Sequence, residues 1–210
     1  MAKGLFLVVE GPDGAGKTTV TEKVVERLRK EGYDLIHTRE PGGIAIAEQI
    51  RSVILDPANT AMDGKTEALL YAAARRQHLV EKIAPAVASG RIVICERFLE
   101  SSLAYQGYGR QLGFDDILAI NRFAIGEFMP DKTFYLDVDE ETGLKRVESR
   151  GNKDRMDSES LAFHKRVVAG YQQVLKTFGP SICRIDASLA FDEVVTATYR
   201  AIKDYIDDQR

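Results

Sequence analysis

Cysteine is scarce in this chain: Cys95 and Cys183 are the only two among 210 residues. Two thiols, each inside an apolar run, make neither a disulfide framework nor a CxxC metal site, and both read as small hydrophobes in buried strands. Long apolar runs are missing as well. No stretch approaches the ~20 apolar residues that cross a bilayer, and the apolar part of MAKGLFLVVEGPDG is too short for a signal peptide. The chain is therefore expected to be soluble and cytoplasmic, with no membrane partner. Excess basic charge is absent too. Lys and Arg total 29 against 32 Asp and Glu, a net charge of −3, which leaves no overall field to draw in nucleic acid. No internal repeat, low-complexity tract or long linker divides the sequence, so residues 1–210 read as one domain.

What is present is ordinary globular material, 44% apolar and 29% charged, arranged in alternation. LFLVV (Leu5–Val9), DLIHT (Asp34–Thr38), RIVIC (Arg91–Cys95), KTFYLDV (Lys132–Val138) and SICRID (Ser181–Asp186) read as strands. Most are apolar at consecutive positions, as parallel strands covered on both faces are. Helical patterns lie between and after them: Thr18–Glu31, Ile44–Leu55, Lys65–Ser89, Phe114–Glu127, Glu140–Arg150, Ser158–Thr177 and Leu189–Asp207. Pro85 should kink the third of these or end its first part. The alternation predicts a three-layer α/β fold, a doubly wound parallel sheet of about five strands with ligands beyond the carboxyl ends of the strands.

One motif sits at such an end. Directly after the first strand runs GPDGAGKTT, Gly11 to Thr19, which fits G-x-x-x-x-G-K-[ST], the phosphate-binding P-loop. Its backbone N–H groups (Gly11, Pro12, Asp13, Gly14, Ala15, Gly16, Lys17, Thr18 and Thr19, proline excepted) form an anion nest at a helix N-terminus. Lys17 supplies charge for the outer phosphates of a nucleoside triphosphate, and the Thr18 hydroxyl is offered to Mg²⁺. The GTPase base-recognition motif N-K-x-D is not met, because Asn152 and Lys153 are followed by Asp154 and Arg155.

The loops after the second and third strands add a second set of groups. TREPGG, Thr38 to Gly43, puts Arg39 before a stiff turn containing Pro41, a placement that suits a guanidinium held toward a phosphate. ERFLESSLAYQGYGR, Glu96 to Arg110, begins with a carboxylate suited to a metal and with Arg97, a phosphate clamp. Ser102, Tyr105 and Gln106 then supply the flat and hydrogen-bonding groups of a base and sugar pocket. RGNKDRMD, Arg150 to Asp157, reads either as a solvated connector or as a mobile flap that carries arginines over the phosphates.

EGPDGAGKTT, TREPGG, TEALLYAAARRQHL, the ERF…SSLAYQG segment and the arginine-bearing flap together resemble the bacterial thymidylate kinases, from about Leu5 to Tyr199. The resemblance implies a P-loop kinase with a mobile lid at about 150–157, ATP as phosphate donor, Mg²⁺, dTMP as acceptor with dTDP as product, and a homodimer. It implies Asp13 near the acceptor's 3′-hydroxyl and phosphate, Arg39, Arg51 and Arg97 toward the acceptor phosphate, and Tyr71 stacked on thymine. It also implies Arg75 on a thymine carbonyl, Ser102 and Gln106 at the base edge, and Tyr105 beside the sugar, where a 2′-hydroxyl would clash. Tyr71 reads equally as core on an apolar helix face, and Arg76 competes with Arg75 for the base. Gly14 stands where some members carry an arginine, an arrangement that assigns catalysis to Lys17, Arg97 and the lid arginines Arg150 and Arg155, with Thr18 and Glu96 at the metal. Glu96 departs from the family's usual aspartate and resembles deoxynucleoside kinases, in which the glutamate is a base for a 5′-hydroxyl. A thymidine kinase is therefore the alternative, and a nucleotide-binding regulator without transfer activity a third reading.

Overall fold

The computed structural model describes residues 3–148 and 154–209. β1 (Leu5–Glu10) leads through the glycine loop into α1 (Lys17–Lys30). β2 (Leu35–Arg39) is followed by α2 (Ala45–Leu55) and α3 (Gly64–His78), which runs through a π-helical turn, Leu79–Ile83, into α4 (Ala84–Ala88). β3 (Ile92–Glu96) precedes α5 (Leu99–Ser102), a π-helical segment Leu103–Gly109, and α6 (Phe114–Ile125). β4 (Lys132–Asp137), α7 (Glu140–Glu148), α8 (Leu161–Phe178), β5 (Ile182–Asp186) and α9 (Phe191–Gln209) follow in turn.

All strand pairs are parallel, in the order β2-β3-β1-β4-β5. Every residue of β1 and β3 is buried, because alternate side chains serve two different cores. Leu5, Leu7 and Val9 pack with Val20, Val24 and Leu28 of α1 and with Ile202 and Ile206 of α9. Phe6 and Val8 pack on the opposite side with Phe98, Leu103, Ile83 and Tyr171. This is why the strands lack the alternation of a half-exposed sheet. The register sets Arg39 beside Glu96 and Glu96 beside Val9, so three loops start in one row at the carboxyl edge. No helix of the described residues is long and apolar enough to cross a membrane.

The expected elements are all present, and two local differences have physical causes. The break in the third helical pattern falls before Pro85, at the π turn Leu79–Ile83. Pro85 has no N–H to return to the preceding turn and its ring crowds that turn's carbonyl, so the helix widens there and restarts at Ala84. Cys95 is buried as expected, whereas Cys183 is only half-buried, because β5 is an edge strand.

Candidate active site

The strand-to-helix loop is held by close packing. Gly14 has φ +79°, and a Cβ there would stand 2.0 Å from the carbonyl oxygen of Gly143. An arginine at this position is excluded by that contact, and the left-handed backbone adds to the cost. Lys17, nearly buried, donates from Nζ to the carbonyls of Gly11 at 2.9 Å and Pro12 at 2.8 Å. Burial, together with the neighbouring Arg97, pulls its pKa down to about 7. Ala15 is buried behind the loop, and the Thr19 hydroxyl turns back to the Gly16 carbonyl at 3.0 Å.

The two groups expected at a metal meet. The Thr18 hydroxyl donates to Glu96 Oε2 at 2.8 Å, and Glu96 Oε1 lies 2.7 Å from His37 Nε2. Burial opposes ionisation of Glu96, but the His37 and Thr18 hydrogen bonds outweigh it and hold its pKa below the usual value. A hydroxyl and an ionised carboxylate at the mouth of a phosphate loop are hard oxygen donors, and this pair fits Mg²⁺. The longer side chain of glutamate spans from β3 to both His37 and Thr18.

Beside the loop lies a cleft of about 190 Å³ lined by Asp13, Lys17, Arg39, Pro41, Arg51, Tyr71, Arg75, Glu96, Arg97, Ser102, Tyr105 and Gln106, among others. The side chains expected at the acceptor are thus gathered in one place. Arg97 has φ +65°, a left-handed conformation that costs about 1–2 kcal/mol for a residue with a side chain. In that conformation its guanidinium pairs with Asp13 and lies 5.0 Å from the Tyr105 ring centroid. Burial resists ionisation of Asp13, yet Arg97 and Lys17 outweigh it and set its pKa at about 2. Tyr105 donates to the other Asp13 oxygen at 2.6 Å.

Arg39 and Arg51 both donate to the carbonyl of Pro41, at 3.1 and 3.0 Å. The turn after Pro41 needs glycine: at Gly42, φ +128°, a Cβ would come within 2.3 Å of Arg39 Nη1. TREPGG is therefore a device that brings two guanidinium groups side by side at the cleft wall.

At the far end Tyr71 is half-buried and lines the cleft instead of filling the core. Arg75 is 2% exposed and donates to Glu40 at 2.7 Å, Ser102 at 2.9 Å and the Phe98 carbonyl at 2.7 Å, and also to Asn121. Arg76 points away, to the carbonyl of Ala124. Of the two candidates, only Arg75 reaches the cleft.

The lid expectation needs a correction. Arg155 does not lie over the phosphate loop. It is buried and donates to Glu67 Oε2 at 2.5 Å and to the Ile54 carbonyl at 2.7 Å, fastening the C-terminal part of the expected lid to α2 and α3. Arg150 and Lys153 lie outside the described residues. Arg155 is drawn inward by the buried Glu67, an attractor that the flap sequence alone does not disclose.

Several side chains inside the motifs have roles that the motifs do not disclose. Glu10, at the end of β1, accepts from the Phe98 and Ser101 amides at 2.7 and 3.1 Å and from Tyr171 at 2.9 Å, tying the P-loop to the segment after β3. Glu40 joins Arg75 to His78, which in turn meets Thr38. A carboxylate closing an all-apolar strand is the available signal for Glu10. For Glu67 it is a charged residue on the helix stripe that also carries Ala68, Ala72 and Arg75.

Comparison with known proteins identifies the family. The family model for thymidylate kinase matches residues 9–198. A thymidylate kinase of Geobacillus sp. strain WCH70 is 54% identical over 98% of this chain and 99% of its own length. That of Enterococcus faecalis strain V583 is 55% identical over 95% and 96%. The crystal structure of thymidylate kinase from Ehrlichia chaffeensis superposes with a TM-score of 0.77 at 30% identity, covering 95% of this chain and 98% of that one. With its P-loop, its arginine-walled cleft and this likeness along nearly its whole length, the chain belongs to the thymidylate kinase family.

Proposed function

We propose that this chain transfers the γ-phosphoryl group of ATP to dTMP, giving ADP and dTDP, and works in the cytoplasm as a homodimer. The observation that carries the reading is the wall of Arg39, Arg51 and Arg97 beside the Lys17 loop, a second anion pocket next to the first. The loop amides and Lys17 hold the donor phosphates. Thr18 and Glu96 would hold Mg²⁺, which when bound would neutralise charge on the donor's outer oxygens. Two unit charges 4 Å apart repel by about 4 kcal/mol at an effective dielectric of 20, so the work of the site is to bring two phosphates together. Arg97 is pre-oriented for this by Asp13, and Arg39 and Arg51 by Pro41. The resemblance assigns Arg150 to the transferring group as well. Tyr105, anchored on Asp13, closes the sugar side against a 2′-hydroxyl.

A nucleotide acceptor phosphate is already an anion and needs no general base. The thymidine kinase alternative requires one, and both oxygens of Glu96 are engaged by Thr18 and His37. Binding calorimetry separates the readings: dTMP is expected to bind at least about 100-fold more tightly than thymidine, with Arg97→Ala erasing most of that gap. Equal affinity for the two ligands contradicts the reading.

The homodimer is supported by an apolar face. α3 packs between α2 and α6, and this side exposes Ile46, Val53, Leu69, Val80 and Phe123, the last 93% exposed. Exposed apolar side chains on helices that pack on one another suit an interaction surface.

A further inference from the structure

Glu67 is fully buried on α3, and its carboxylate is surrounded by donors. Oε1 accepts from Gln106 Nε2 at 2.9 Å and Arg110 Nε at 3.1 Å. Oε2 accepts from Arg110 Nη2 at 2.9 Å and Arg155 Nη2 at 2.5 Å. Burial opposes its ionisation, but these donors outweigh burial and keep its pKa below the usual value. An ionised carboxylate only accepts, so the Gln106 amide must turn its NH₂ toward Glu67. Its Oε1 is left for the cleft, which Gln106 lines and where that oxygen meets no other described residue.

We propose that Glu67 is a specificity-determining positioning residue: it locks the Gln106 amide so that the cleft offers an acceptor, never a donor, to N3 of a pyrimidine base. The inference rests on the reading that the base lies between Gln106 and Arg75. Thymine and uracil carry N3–H, a donor, next to the O4 acceptor; cytosine carries an N3 acceptor next to a 4-amino donor. Arg75 spends four of its five N–H groups on Glu40, Ser102, Asn121 and Phe98, and the one left on Nη2 suits O4 and opposes an amino group. Gln106 alone is ambiguous, since an amide flip interchanges its donor and acceptor. Glu67 removes that ambiguity, and the pocket rejects cytosine on two adjacent positions.

The test is Glu67→Gln. The new amide turns its oxygen to Arg110 and Arg155 and its NH₂ to Gln106, which then flips and shows a donor to the cleft. Steady-state kinetics with dTMP, dUMP and dCMP should show the dTMP:dCMP ratio of kcat/KM falling at least about 10-fold, mainly through KM, with dTMP:dUMP unchanged. Adding Gln106→Glu restores an acceptor to the cleft and should restore rejection of dCMP. A variant that loses activity equally on all three acceptors overturns the proposal, since a purely structural carboxylate would do that. If Glu67→Gln does not fold, NMR of the wild-type protein decides. Slowly exchanging Gln106 side-chain NH₂ protons that stay in place when dTMP binds support the lock, and contacts from that NH₂ to the base overturn it. A wild-type protein inert toward dTMP but active on another acceptor rejects the functional reading itself.

Discussion

Lys17 shows at the scale of one residue how the site is tuned. Its ammonium is buried beside Arg97, and its pKa is lowered from 10.5 to about 7. Between those values the unfolded chain binds a proton that the folded one does not, so this group makes stability rise with pH across that window. An anion on the loop reverses the balance and raises the lysine pKa again. ATP binding at pH 8 should therefore take up close to one proton, falling toward none at pH 6, where Lys17 is already charged. Calorimetry in two buffers of different ionisation enthalpy measures this, with Lys17→Arg as the control that removes it. Buffer-independent heats at pH 8 would show that Lys17 stays charged without ligand. Glu96 is tuned in the opposite sense, since His37 and Thr18 keep it ionised, ready for a cation.

At the scale of elements, the C-terminal part of the expected lid is fastened to the helices beside it. Arg155 joins it to α3 through Glu67 and to α2 through the Ile54 and Leu55 carbonyls. Arg155→Ala leaves Glu67 with Arg110 and Gln106, so the loss should be about 2 kcal/mol of stability, seen as a melting temperature lower by roughly 4–8 °C. Turnover should fall far less than the ~10³-fold expected of a transition-state arginine. A loss of that size at unchanged melting temperature would return Arg155 to the chemistry. The sequence made this error understandable: RGNKDRMD shows which residues are charged and nothing of the buried carboxylate that claims one of them. The strands were legible because burial on both faces leaves a run such as LFLVV unbroken. The helix of Leu99–Ser102 and the π segment after it, Leu103–Gly109, were not among the expected elements. They are short and rich in serine and glycine, and their geometry depends on packing against α8. The cleft residues were legible through motifs; Glu10, Glu40 and Glu67 stand in the same motifs, but the contacts through which they orient the cleft lie 35 to 161 positions away in sequence.

For the whole molecule, the strand order β2-β3-β1-β4-β5 brings the three chemical loops to one edge, and the proposed second copy would cover the exposed apolar side chains of α2, α3 and α6. Sedimentation at tens of micromolar should give twice the mass of 23.3 kDa, and Leu69→Asp with Phe123→Asp should shift it to one chain, because buried carboxylates without partners oppose association. A wild-type monomer at that concentration would contradict the dimer. The central claim, that this edge carries phosphate from ATP to a nucleotide already bearing one, is tested most directly with ATP labelled at the γ-phosphate, Mg²⁺, and dTMP, UMP or thymidine as separate acceptors. The label should appear in dTDP, barely in UDP, and not in any product of thymidine. Label transferred to thymidine while dTMP stays inert would contradict the account and make Glu96 a base.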